Sequence, residues 1–248
     1  MAGHSKWANI KFRKGAQDAK RGKIFTKLIR AITVAARDGG PDTSSNPSLR
    51  LAIDKALQNN MKKDSIKKAV ESGVGGQSGD LQFSRYDGYG PGGVAVMVDC
   101  FTNNKNRTVA EVRHAFSKYG GNLGTDGSVS YMFNQISVIV VAAGPSEDDV
   151  LDVVALAGAD EVISLDCGNI EVISQADKHH EVQNSLNDQG WDIISSDTMW
   201  DADNKMTLDA EQAAKIMKIV SVLEDLDDVQ NVYTNADISS DILESLAE

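Results

Sequence analysis

Ile24, Phe25, Leu28, Ile29, Ile32, Ala35 and Ala36 recur at the three- and four-residue spacing of a single helical stripe, in a helix the pattern starts near Ala16. Lys20, Lys23, Lys27 and Arg30 fall on the opposite face. Asp38-Gly39-Gly40-Pro41 stops this helix, because the glycines release the backbone and the proline cannot continue it. Asn46-Pro47 supplies a cap and a first helical residue for a second helix, with Leu49, Ile53, Ala56 and Leu57 on one side. A third short helix is expected from about Asp64, with Ile66, Ala69 and Val70 inward and Gly73 as its terminator. The glycine-rich stretch from Gly73 to Asp80 reads as a linker.

Beyond it the period changes. Residues 81–89 and 94–102 read as strands joined by a turn at Gly90-Pro91-Gly92-Gly93. Thr108 and Glu111 have the spacing of a capping box, and Val109, Val112, Ala115 and Phe116 make the apolar face of the helix that follows. Residues 128–133 read as a strand. The next run is strand 136–142, helix 146–157, strands 161–165 and 169–174, helix 178–189 and strand 192–199, the β-α-β-β-α-β order of a ferredoxin-like unit. Helix 209–226 and strand 229–234 remain, and they would complete the sheet left short by the earlier segment. The fold expected is α+β in three domains: a helical domain (1–75), a discontinuous α/β domain (81–134 plus 206–236), and a ferredoxin-like α/β insert (135–205). Residues 237–248 read as an acidic surface tail, and one continuous large sheet is the alternative arrangement.

Charge sharpens this division. Residues 1–30 hold nine Lys/Arg against one acid, Asp18, in a chain whose net charge is −11. Residues 1–80 carry 16 Lys/Arg and 7 Asp/Glu, net +9, whereas residues 81–248 carry 9 and 29, net −20. A polyanion should meet the first third and be repelled by much of the rest. The candidate nucleic-acid contacts are His4, Lys6, Trp7, Lys11, Arg13, Lys14, Lys20, Lys23, Lys27 and Arg30. In the N-terminal arm, Trp7 and Phe12 alternate with cations, which suits stacking on unpaired bases along a phosphate backbone. A solvated basic helix face is the plainer reading, and Asp18 with the Asn/Gln content argues against a membrane surface.

Asn103-Asn104-Lys105-Asn106-Arg107 places two cations at a helix N-terminus, a second phosphate contact through Lys105 and Arg107 or simply a capped loop. Gly88-Tyr89-Gly90-Pro91-Gly92-Gly93 lacks the Gly-Lys-Ser/Thr of a phosphate-cradling loop and joins two strands, so it is a turn. Glu224, Asp225, Asp227 and Asp228 mark either a helix end running into the last strand or an acidic surface for a basic partner, and the first reading is preferred. Cys100 and Cys167 have no metal-binding or disulfide spacing, and the four histidines make no HExxH or Cys/His cluster. Neither a cofactor motif nor a catalytic constellation is evident. The longest apolar run, Val138 to Ala143, is a buried strand rather than a membrane span, and the N-terminus lacks the apolar region of a secretory signal, so a cytoplasmic location is expected.

AGHSKWANIK at 2–11, GGPD at 39–42, GYGPGG at 88–93, NRT at 106–108, KYGGNLGTDGSVSYMF at 118–133 and LEDLDDVQNVYTNADI at 223–238 resemble the YebC family of bacterial and mitochondrial proteins. The chain departs from that pattern at Phe12, where a histidine is expected, and at Lys62, where a proline is. The resemblance implies a helical domain and two α/β domains, one inserted in the other, and a non-enzymatic role in gene expression. Bacterial members are generally labelled DNA-binding transcriptional regulators, and the mitochondrial relative is a translational activator. The expected partner is therefore DNA or ribosomal RNA, with the ribosome as a further candidate. A cytoplasmic monomer or weak oligomer without cofactor, metal or membrane attachment is expected.

Overall fold

A computed structural model describes residues 21–76, 81–165 and 167–247. The protein is α+β, and these residues form two compact units, one of 21–130 with 215–233 and the other of 131–214 with 234–247.

The first unit opens with three helices, α1 (Arg21–Gly39), α2 (Pro47–Gln58) and α3 (Lys63–Val74). Ile32, Ala36, Leu49, Ala56, Met61, Ile66 and Ala69 bury their side chains together, with Phe25 and Leu28 packed against them. Burial of this kind, at about 25 cal/mol per Å² of apolar surface, holds helices too short to persist alone. Asn46 is buried and caps α2: its Oδ1 accepts from Leu49 N at 3.0 Å while its Nδ2 donates to Ala35 O at 2.8 Å and Gly40 O at 2.9 Å. Gly73, expected to end α3, instead lies inside the helix and is buried. A Cβ there would collide with the Thr33 carbonyl of α1 and sit 3.0 Å from the Ala36 Cβ, so glycine is what lets α1 and α3 approach.

The sheet of this unit runs β3-β1-β2-β9, from β1 (Gln82–Tyr89), β2 (Ala95–Thr102), β3 (Asn122–Leu123) and β9 (Val229–Thr234). β1 and β2 are antiparallel in register Gln82↔Thr102 through Tyr89↔Ala95, closed by the tight turn Pro91–Gly93 in which Gly92 and Gly93 have φ of 77° and 85°. The 88–93 motif is therefore a turn. Gly88 also makes room for packing, since a Cβ there would stand 2.7 Å from the Phe116 ring. The buried Asp87 accepts from the Val129 and Ser130 amides at 3.1 Å each and organises the loop that was expected to be a strand at 128–133. That loop instead ends in a short 3-10 turn, Ser130–Met132. Helix α4 (Lys105–Lys118) starts four residues earlier than the Thr108–Glu111 spacing suggests, because Asn104 is the cap and accepts from Arg107 N at 3.1 Å.

In the second unit, β4 (Phe133–Val141), α5 (Glu147–Val154), β5 (Ala159–Ser164), β6 (Ile170–Gln175), α6 (His179–Asp188) and β7 (Ile193–Ala202) give the antiparallel order β5-β6-β4-β7. This is the ferredoxin-like arrangement. Ser146 and Asp149 close a reciprocal capping box on α5. His179 is buried with its ring nitrogens 2.8 Å from Ser137 Oγ and 3.2 Å from Ser196 Oγ, a core histidine supported by hydroxyls. The residues expected to be a surface tail are partly built in. β8 (Met206–Thr207) pairs in parallel with β10 (Ala236–Asp237), and Ile238 and Leu243, the latter on α8 (Ser240–Ala247), are buried. Between β8 and β9 runs α7 (Ala210–Glu224).

Candidate nucleic-acid interface

A helix leaves its last four carbonyls without intrahelical partners, and cations are favoured at that negative end of its dipole. At the end of α7 one such oxygen, that of Glu224, and the carbonyls of Asp225 and Asp227 just beyond the helix are met by the basic face of α1. Lys27 Nζ donates to Glu224 O at 2.8 Å, Lys23 Nζ donates to Asp225 O at 2.8 Å and lies 3.5 Å from Asp225 Oδ1, and Arg30 Nη1 donates to Asp227 O. The spacing 23, 27, 30 puts three cations in a row along α1, so one helical face meets three carbonyl oxygens of the 224–228 elbow. Burial lowers the Lys27 pKa from its ordinary value, and the neighbouring Glu224 only partly offsets that.

Asp228 anchors the elbow. Its carboxylate is almost wholly buried and accepts from Arg30 Nη1 at 3.2 Å through Oδ1, and through Oδ2 from Arg107 Nη2 at 2.6 Å, Thr108 Oγ1 at 2.8 Å and Thr102 Oγ1 at 3.1 Å. Its backbone carbonyl accepts from Phe101 N at 2.9 Å, which ties the elbow to β2. Burial alone would raise the pKa of this carboxyl, but the hydrogen bonds from Arg107, Thr108 and Thr102 outweigh it and hold the pKa below the usual carboxylate value.

The two stretches of candidate contacts, α1 and the 103–107 loop, thus meet on one acid: Arg30 and Arg107 share Asp228. Lys105 is exposed on the first turn of α4. Arg107 keeps about half of its side chain in solvent, at 47% exposure, and Lys23 a similar share at 46%. His4, Lys6, Trp7, Lys11, Arg13, Lys14 and Lys20 lie outside the described residues. Sequence reasoning did not single out Asp228, Thr102 and Thr108 as partners of these cations. The one available signal was the acidic cluster at 224–228, whose partner proves to be a basic helix of the same chain. Among the described residues no group of three or more His, Cys, Asp or Glu is arranged to hold a metal ion, and no helix is long and apolar enough to cross a membrane.

These features define a class: an α+β protein with a ferredoxin-like unit and a three-helix segment whose cations face an acidic elbow. Residues 5–76 match the TACO1/YebC protein N-terminal domain, and residues 81–236 match the TACO1/YebC second and third domain. The chain is 57% identical over 247 residues to a probable transcriptional regulatory protein of Legionella pneumophila, covering 99% of this chain and 100% of that one. It is 53% identical, over the same shares, to one of Francisella tularensis. The crystal structure of a conserved hypothetical protein from Aquifex aeolicus superimposes with a TM-score of 0.79 at 41% identity, covering 89% of this chain and 92% of that chain. The chain belongs to the TACO1/YebC family.

Proposed function

We propose that this protein is a non-enzymatic nucleic-acid-binding regulator of gene expression, acting in the cytoplasm as a monomer or weak oligomer on DNA as a transcriptional regulator. The observation that carries the reading is the charge division, net +9 over residues 1–80 against net −20 over residues 81–248, which would orient the chain on a polyanion. The names of its relatives support regulation of transcription. The primary contacts on this reading are His4, Lys6, Trp7, Lys11, Arg13, Lys14 and Lys20 with Lys23, Lys27 and Arg30, and the secondary ones are Lys105 and Arg107. The alternation of Trp7 and Phe12 with cations favours a second reading, an RNA- and ribosome-associated translation factor, because aromatic side chains stack on unpaired bases.

Fluorescence anisotropy of the full chain with a mixed-sequence DNA duplex and with an RNA hairpin, across a salt series, tests the common core of both readings. Binding whose log K falls linearly with log salt is expected. Absence of binding to either at low salt refutes both. Sedimentation of a cell lysate then separates them: comigration with ribosomal particles that survives DNase favours translation, and its absence favours DNA.

A further inference from the structure

The helical segment 21–76 has an apolar core drawn from its own three helices. What α1 offers to the 224–228 elbow is charge: Lys23, Lys27 and Arg30 on the carbonyls of Glu224, Asp225 and Asp227 and on the Asp228 carboxylate. Row spacing, cationic donors and oxygen acceptors are also what a helix uses to follow a phosphate backbone. The elbow supplies four acids, Glu224, Asp225, Asp227 and Asp228, against Lys23, Lys27, Arg30 and Arg107, so the folded surface is close to neutral there although α1 itself is strongly basic. Asp228 is fixed by Thr102, Thr108 and Arg107 and stays with the sheet. Contacts of Lys23 with Asp225 are half-exposed, and such ion pairs are weak and screened by salt.

We infer that Lys23, Lys27 and Arg30 form a phosphate-backbone strip which residues 224–227 of the acidic elbow occupy as an intramolecular stand-in for nucleic acid, so that a nucleic acid engages the strip only by displacing them while Asp228 stays with the sheet. This rests on the nucleic-acid-binding reading above. The source of the phosphates, DNA duplex or RNA hairpin, is distinguished by running both as probes.

Zero-length carbodiimide coupling of the full chain, mapped by peptide mass spectrometry, reads the contact directly through the Lys23–Asp225 cross-link. The Lys178–Glu181 pair, at 2.9 Å in the other unit, serves as the internal control. A saturating probe should lower the Lys23–Asp225 yield about fivefold or more while the control stays constant. Anisotropy that shows the probe bound with this yield unchanged overturns the inference and leaves nucleic-acid binding standing; no binding at all overturns both. Asp225→Asn with Asp227→Asn should raise probe affinity about threefold to tenfold over Asp148→Asn with Asp152→Asn, exposed acids of the other unit that remove equal charge. Equal gains in the two variants also overturn it.

Discussion

Asp228 shows how one side chain can settle the course of a chain segment. A carboxylate this buried is costly unless its oxygens are filled, and two threonines and two arginines fill them. Asp228→Asn keeps the shape but removes the charge that Arg30 and Arg107 face, and should lower unfolding free energy by about 3 kcal/mol at neutral pH, measured by urea denaturation. The pH dependence has a definite sign. Because the folded pKa lies below the ordinary 3.8, the unfolded chain takes up a proton at this carboxyl first. The stabilisation is therefore full above the ordinary value and is lost as pH falls through the folded one. The gap between wild type and the Asn variant should shrink over that same acid window; a gap independent of pH would show that the charge contributes nothing.

Helices were legible in the sequence wherever a period and a cap agreed. Asn46-Pro47 announces α2, and the buried amide does more than cap, since it also bonds the end of α1. Asn46→Ala should cost about 2 kcal/mol, seen as a lower thermal midpoint, more than an exposed cap costs because two donors disappear with the acceptor. Gly73→Ala should cost about 2 kcal/mol as well, by forcing α3 away from the Thr33 carbonyl, and a neutral result would mean that the helices can slide apart. Elements fixed by distant partners were less legible. Ser128 to Phe133 alternates like a strand, but the buried Asp87 claims the amides of Val129 and Ser130 and turns the chain instead. Thr108 has the spacing of a cap, yet its hydroxyl is spent on Asp228, 120 residues away, and Asn104 caps the helix. Such pairings depend on which segments meet, and local period carries no record of that.

On the scale of the whole molecule, charge geography was plain in the sequence while its internal pairing was not. The contrast between net +9 and net −20 suggested an outward-facing basic surface, but part of it is matched by the chain's own acidic elbow. A spacing pattern shows that Lys23, Lys27 and Arg30 share a face, and only the tertiary fold shows what lies opposite. Reversing all three to glutamate should therefore do two things at once. It should set negative charge against the open carbonyls at the end of α7, lowering stability by about 2 kcal/mol in urea denaturation, and it should also reduce nucleic-acid affinity. Reversing Lys6, Lys11, Arg13, Lys14 and Lys20 instead removes charge from the arm, and on the proposed function should lessen the slope of log K against log salt by about 4. If affinity and slope survive the arm reversal but not the α1 reversal, and the α1 variant is still folded at the assay temperature by circular dichroism, the binding surface is α1 alone. If both reversals reduce the slope, arm and helix bind one continuous backbone, and opening the elbow extends that binding track.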